Sequence, residues 1–371
     1  MKCKLSDICY FRKGKVEVEN LNTKNYISTE NMLPNKSGIT EATSLPNVSS
    51  TQEYKNGDVL VSNIRPYFKK IWQARYDGGC SNDVLVFVPK STTDRDFLYY
   101  LLADDDFFTY SMATSKGTKM PRGDKTSIMQ YEVPMVDFCT QKKIASVLKS
   151  LDEKIELNNA INENLEQQAQ AIFKSWFVDF EPFSNQMPSD WSVSTLGNIS
   201  IMGAGGDKPQ NVSPIKSNLY QYPIYSKGLS DEGLYGFTDK PKIFKESVTV
   251  SARGTIGFVC LRHIPYVPIV RLVTLIPKTE IISAKYLYLW LKQLHITGTG
   301  TTQQQLTIPD FRKTEILVPS QEIVTLFTDT VEPIFEKIWA NQSENEKLSS
   351  LRDTLLPKLM SGELDVSVID L

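Results

Sequence analysis

The run IASVLKSLDEKIELNNAINENLEQQAQAI, residues 144–172, decides how this chain is read. Its Ile144, Leu151, Asn158, Leu165 and Ile172 step by seven, and Leu148, Ile155, Asn162, Ala169 and Trp176 make a second seam beside them. Sustained heptads of this kind belong to helices that pair with helices. Both seams return near the C-terminus, as Phe327, Ile334, Asn341, Leu348 and Leu355, and as Val331, Ile338, Asn345, Arg352 and Leu359. Each predicted helix runs roughly 38 residues, about 57 Å at 1.5 Å per residue. A polar-faced helix of that length has nowhere else to bury its stripe, so the two are expected to pair with each other. Asn158 and Asn341 fall near the middle of their seams, where a polar residue sets register. Antiparallel pairing predicts that they face each other near a pseudo-dyad.

Working outward, the segments before each helix also repeat. Lys4-Leu5-Ser6-Asp7-Ile8 returns as Thr195-Leu196-Gly197-Asn198-Ile199, and Asp58-Val59-Leu60-Val61-Ser62 as Ser247-Val248-Thr249-Val250-Ser251. Phe97-Leu98-Tyr99-Tyr100-Leu101-Leu102 returns as Tyr286-Leu287-Tyr288-Leu289-Trp290-Leu291, and Glu132-Val133-Pro134 as Leu317-Val318-Pro319. Order is kept while the offset shrinks from 191 residues (Lys4 to Thr195) to 185 (Glu132 to Leu317), as small loop deletions produce. So long a period means two copies of one domain, not a solenoid. Strands are predicted at Asp58–Ser62 and Asp83–Val88, then a helix near Asp96–Tyr110. In the second copy they fall at Val248–Ser251, Gly257–Leu261 and Val270–Ile276, then a helix at Ala284–Leu294. Pro182 and Pro188 mark the linker out of the first long helix. The expected fold is α+β: two similar α/β-type domains, 1–139 and 181–320, separated by two long helices, 140–180 and 321–371, that pair as an antiparallel coiled coil.

Composition narrows the function. The chain has 371 residues, 41% hydrophobic and 23% charged, which fits folded domains rather than disorder. The most apolar stretch, Val267 to Ile276, is broken by Pro268 and Arg271, so no membrane span is expected. The N-terminal residues lack a signal-peptide core, so the cytoplasm is the expected compartment. Five scattered cysteines and two histidines, His263 and His295, argue against a disulfide framework, a zinc site or a histidine-based triad. Gly203-Ala204-Gly205-Gly206-Asp207-Lys208 lacks both the Walker ending and the dinucleotide fingerprint, and is read as a flexible turn. Neither nuclease carboxylates nor an Asn/Asp-Pro-Pro-Tyr/Phe motif occurs. No catalytic engine is visible. The net charge of −2 is bland, so any nucleic-acid grip has to be local or shared with a basic partner.

Two segments at equivalent places have binding chemistry. Ser62–Lys70 includes Asn63, Arg65, Tyr67, Lys69 and Lys70; its counterpart Ser251–Gly257 includes Ser251, Arg253 and Thr255. Pro66 and Tyr67 stand where Gly254 and Thr255 sit. Further on come a basic loop with Lys116, Thr118, Lys119, Arg122 and Lys125, and an amide-rich loop with Thr301, Thr302, Gln303 and Gln304. Arginine and glutamine forks match guanine and adenine edges, while lysines, hydroxyls and backbone amides suit phosphates. One scaffold with divergent loops is what reading two different sequences requires.

With these residues in view, the chain resembles the specificity subunits of type I restriction–modification systems. The resemblance is carried by Val133-Pro134 through Gln141-Lys142-Lys143-Ile144-Ala145, and by Phe173-Lys174-Ser175-Trp176-Phe177-Val178-Asp179-Phe180-Glu181-Pro182. Ser251–Gly257, Gly300–Gln303 and Leu355–Leu364 add to it. It implies two target recognition domains, each reading one half of a bipartite duplex DNA site, and helices that set the spacer and dock methyltransferase subunits. It further implies a non-catalytic chain that binds no cofactor. Two modification subunits with S-adenosylmethionine and two restriction subunits with ATP and Mg are the expected partners. The competing reading is a two-headed structural adaptor that binds proteins rather than DNA.

Overall fold

The computed structural model describes residues 2–297 and 305–366. The chain divides into two compact units, Met1–Asn158 with Gln342–Leu371, and Asn159–Asn341.

In the first unit, strand Lys2–Lys4 pairs antiparallel with Glu132–Pro134, placing Cys3 opposite Val133. A single turn, Leu5–Ile8, leads into strand Cys9–Phe11, the edge of an antiparallel sheet continued by Val84–Pro89, Val59–Ser62 and Ile71–Gln73. Strand period divides the central side chains between two cores. Val59, Val61, Leu85 and Phe87 pack on the helical side with Phe97, Leu98 and Leu101. Leu60, Val84, Val86 and Trp72 pack with Ile27, Tyr54 and Cys80 of a second sheet and with Met32 of the loop after its strand Tyr26–Ile27. That sheet runs Lys15–Glu17, Ser50–Tyr54, Gly78–Cys80 and Tyr26–Ile27, the last pair parallel. The single helix predicted at Asp96–Tyr110 is two helices, Arg95–Ala103 and Asp105–Ala113. The break falls at Asp104, whose side chain accepts the Asp106 N–H and caps a new helix.

The second unit repeats this plan. Ser192–Thr195 pairs with Glu315–Val318, the turn Leu196–Ile199 follows, and the main sheet runs Ser200–Ala204, Leu272–Pro277, Ser247–Ser251, Val259–Arg262. The smaller sheets differ. The parallel pair of the first unit gains strands on its Gly78–Cys80 side, whereas the pair Tyr222–Tyr225 with Val267–Pro268 is extended by Leu234–Thr238 on its Tyr222–Tyr225 side. Gly203 and Ala204, read from sequence as part of a flexible turn, close an edge strand instead. Gly205 then abuts the neighbouring chain so closely that a Cβ there would lie 2.1 Å from the Ile269 carbonyl oxygen.

The two long helices are Phe138–Phe177, 40 residues, and Gln321–Ser361, 41 residues. The Asp137 carboxylate accepts the N–H groups of Cys139 and Thr140, both at 3.0 Å, and starts the first. Gly362, at φ +76°, ends the second. Each unit contains half of each helix, and in each the halves run antiparallel. In the first unit Asp152 meets Arg352 at 2.7 Å, and Asn158 meets Asn345 at 2.9 Å. In the second Asn162 meets Asn341 at 2.8 Å, and the Phe173 ring meets Phe327 at 5.9 Å.

The buried asparagines bond across seams. Asn158 Nδ2 donates to Asn345 Oδ1 and Glu344 Oε2, and Asn341 Nδ2 donates to Asn162 Oδ1. Asn158 corresponds to Asn341, and Asn162 to Asn345, so one bond is made twice. The sequence pointed to Asn158 opposite Asn341. Antiparallel packing instead sets a residue of one seam against the other seam of the partner helix, which gives each amide its partner. Both Asn158 and Asn341 are 1% exposed.

Among the other seam positions, Ile144 and Phe327 are buried, while Leu151, Leu165, Ile172, Ile334, Leu348 and Leu355 are half-buried. The helix ends merge into the unit cores. Ile144, Ala145 and Leu148 join Leu356, Leu359 and Met360 in the first, and Ala169, Phe173 and Phe177 join Phe327, Val331 and Phe335 in the second. Among the described residues, no helix is long and apolar enough to cross a membrane.

Candidate nucleic-acid interface

In the first unit the two segments singled out from sequence come together. Strand Val59–Ser62 runs out into Asn63, and a one-turn helix, Pro66–Phe68, follows. The basic loop lies alongside. Arg65 N–H donates to the Pro121 carbonyl at 2.8 Å, Gly123 N–H donates to the Asn63 carbonyl at 3.1 Å, and Ile64 bridges Arg122. Lys116 and Arg122 exchange backbone hydrogen bonds, both 2.9 Å, and Gly117 turns the loop at φ +92°.

Acidic residues orient much of this basic surface. Lys69 and Lys36 both reach Asp105, at 2.7 and 2.8 Å. Lys116 pairs with Asp124 at 2.5 Å, and Arg122 with Asp83 at 3.0 Å. Burial favours the neutral Asp105 carboxyl, but hydrogen bonds from Lys36 and Lys69 hold it below the ordinary carboxylate range. The Lys116 ammonium, helped by the Ser127 N–H, draws Asp124 down to about 2. Asp124 also caps the short helix Lys125–Ile128. Lys70 Nζ donates to the Thr29 carbonyl at 2.6 Å and sits 5.7 Å from the Phe68 ring; burial lowers its pKa.

Thr118, Lys119 and Lys125 are exposed, and among the described residues neither lysine has a carboxylate partner. Their charge faces outward, suited to phosphate. Asn63 is 9% exposed and lies beneath the turn, so it shapes the loop from within.

The second unit presents a different surface at the equivalent place. Ser251 is buried, its hydroxyl 2.9 Å from that of Thr255, and its carbonyl accepts the Gly257 N–H at 3.1 Å. Gly254 lies at φ +83°, and the Lys227 ammonium lies 3.0 Å from where a Cβ would stand on it. Arg253 is half-buried at the turn. Ala252 N–H donates to the Arg271 carbonyl at 2.9 Å, which brings the backbone of Arg271 beside the turn. Arg271 itself is exposed, at φ +75°. Among the described residues, Lys227, Arg253 and Arg271 make no ion pair. Thr301, Thr302, Gln303 and Gln304 lie outside the described residues.

Sequence reasoning missed Lys36, Asp83, Asp105, Lys227 and Arg271. Only Arg271 left a trace, as a lone charge interrupting the apolar run Val267 to Ile276. The others reach their sites through pairings that adjacency in sequence does not show. Among the described residues, no group of three or more His, Cys, Asp or Glu side chains is placed to hold a metal ion.

Comparisons with known proteins agree with the duplicated design. Residues 1–167 and 188–349 match the family described as the type I restriction modification DNA specificity domain. The chain is 29% identical to the type I restriction enzyme HindI specificity subunit of Haemophilus influenzae, over 91% of this chain and 94% of that protein. It is also 29% identical to the MjaIX specificity subunit of Methanocaldococcus jannaschii, over 75% of this chain and 71% of that one. The crystal structure of a type I restriction–modification S subunit from M. genitalium superposes with a TM-score of 0.58 at 18% identity, covering 97% of this chain and 96% of that one.

Proposed function

This chain belongs to the type I restriction–modification DNA specificity family, and from that premise we propose that each of its two units reads one half of a bipartite, interrupted duplex site. It is a specificity subunit: a non-catalytic, DNA-binding component of a restriction–modification complex. It assembles with modification and restriction subunits, and we assign two of each. In this reading S-adenosylmethionine, ATP and Mg act on those partners, and the complex works in the cytoplasm. Residues 1–139 and 181–320 serve as the two recognition domains, and the paired helices set the spacer and dock the modification subunits.

One observation carries the proposal. The same sheet is built twice, and the same sheet end opens into chemically different loops, Asn63–Lys70 in one unit and Ala252–Gly257 in the other. Different loops on one frame read different sequences. The protein-binding adaptor has no observation in its favour.

The test is to purify the chain with its modification subunits, measure duplex binding across salt concentrations, and map the methylated adenines. Affinity should fall steeply with salt, and methylation should mark an asymmetric site in two blocks. A single contiguous block, or salt-insensitive binding, contradicts the proposal.

A further inference from the structure

We infer that Tyr67, backed by Phe68, is a wedge residue that inserts its ring at a base step of the half-site read by the first unit, partly unstacking it and stacking on the opened base. This deepens the function proposed above and rests on it. The second unit has Gly254 and Thr255 at the matching place and no aromatic step there.

The Tyr67 and Phe68 rings lie 4.7 Å apart and tilted by 51°, with 49% and 38% of their surfaces exposed. The pair packs on itself but leaves a large part of both rings in solvent, and an opened base step would cover that remaining flat area. Lys70 lies over the Phe68 ring, and the Arg65–Pro121 bond joins the turn to the loop bearing the exposed Lys119, which has no carboxylate partner among the described residues and suits a phosphate beside the rings.

The turn is also held in a costly state. Arg65 and Lys69, its two flanks, both sit at φ +50°, a region that side-chain-bearing residues avoid. Two buried polar atoms of the same turn, Asn63 Oδ1 and Arg65 Nε, have no hydrogen-bond partner among the described residues. A protein keeps such strain where the surroundings impose it and a ligand can use it. Backbone hydrogen bonds at Arg65, Phe68 and Lys69 hold the turn that presents the ring pair, so little backbone freedom is lost when the rings meet DNA.

The experiment uses the complex with modification subunits and duplexes carrying the site mapped by methylation. Tyr67→Ala should weaken binding roughly 5- to 150-fold, the range of one base–aromatic stack. It should leave the slope of affinity against salt unchanged, because no charge is removed, and should flatten discrimination in one half-site only. Tyr67→Phe keeps the ring and should restore binding. Tyr67→Ala within twofold of wild type overturns the inference. So does a loss that tracks fewer bound modification subunits, which would make the ring a partner contact. A wild-type complex that binds no duplex overturns the proposed function together with this inference.

Discussion

At the residue scale, two side chains of the second unit show how position governs chemistry. Arg253 stands on a turn that needs glycine at 254 and, among the described residues, has no carboxylate partner, which is why the proposed function gives it a DNA contact. Arg253→Ala should cost about 1–3 kcal/mol at one half-site if the guanidinium reads a base, and weaken all sequences alike if it grips phosphate. Binding titrations on matched and mismatched duplexes separate these outcomes. His263 follows the strand Val259–Arg262, and its ring stacks on Trp339 of the second long helix, with centroids 4.1 Å apart. The residue as a whole is exposed, but desolvation where the ring lies on Trp339, then the charges of Lys285 and Arg262, lowers its pKa from 6.5 to about 4. The unfolded chain therefore binds a proton between those values that the folded chain refuses, and stability falls as the pH drops through that window. Denaturant midpoints of wild type and His263→Asn should converge as the pH falls from 6.5 to about 4. A constant gap would contradict this reading.

At the scale of elements, the long helices enter the cores of both units and, in the proposed function, set the spacer. Their ends supply Leu148 and Phe173 to the α/β cores, and their middles hold the two asparagine bonds. Those amides are satisfied only in one register, since a slip of one turn would leave buried polar groups unpaired. Removing seven residues from each helix keeps the seams in phase and shortens the pair by about 10 Å. The tolerated spacer in the DNA site should shrink by about three base pairs at 3.4 Å each. Methylation of a series of sites with altered spacers checks this, and an unchanged optimum would refute the ruler. The helix pairing was legible in sequence because a heptad is local and periodic. The asparagine partners were not, because which seam meets which depends on how two distant stretches dock.

At the scale of the whole molecule, the duplication was legible because repeated strands and helices keep their apolar spacing while loops change length. The matching segments Lys4–Ile8 and Thr195–Ile199 form the same turn, and each closes on a strand, but Lys4 faces Glu132 where Thr195 faces Glu315, so the sequence match of Glu132–Pro134 to Leu317–Pro319 is two residues out of register. The smaller sheets, which extend from opposite sides of their parallel pairs, were not legible: short strands such as Tyr26–Ile27 and Val267–Pro268 carry no periodicity of their own. The candidate site divides likewise. Arg65, Arg122, Arg253, Tyr67 and the lysines of Lys69–Lys70 and Lys116–Lys125 could be named from the chain, since turn residues and charges announce exposed loops, whereas Lys36, Lys227 and Arg271 could not. That Asn63–Lys70 and Lys116–Lys125 form one surface, that Asp105 and Asp124 hold its lysines, and that the Arg271 backbone meets Ala252 while Lys227 reaches Gly254 were decided only by tertiary structure. Sequence alone determined the twofold repeat, the paired helices and the kind of loop chemistry, because each is written in local pattern. Which loops meet, and which charges remain free, depends on long-range backbone contacts and ion pairs that exist only once the sheets have closed.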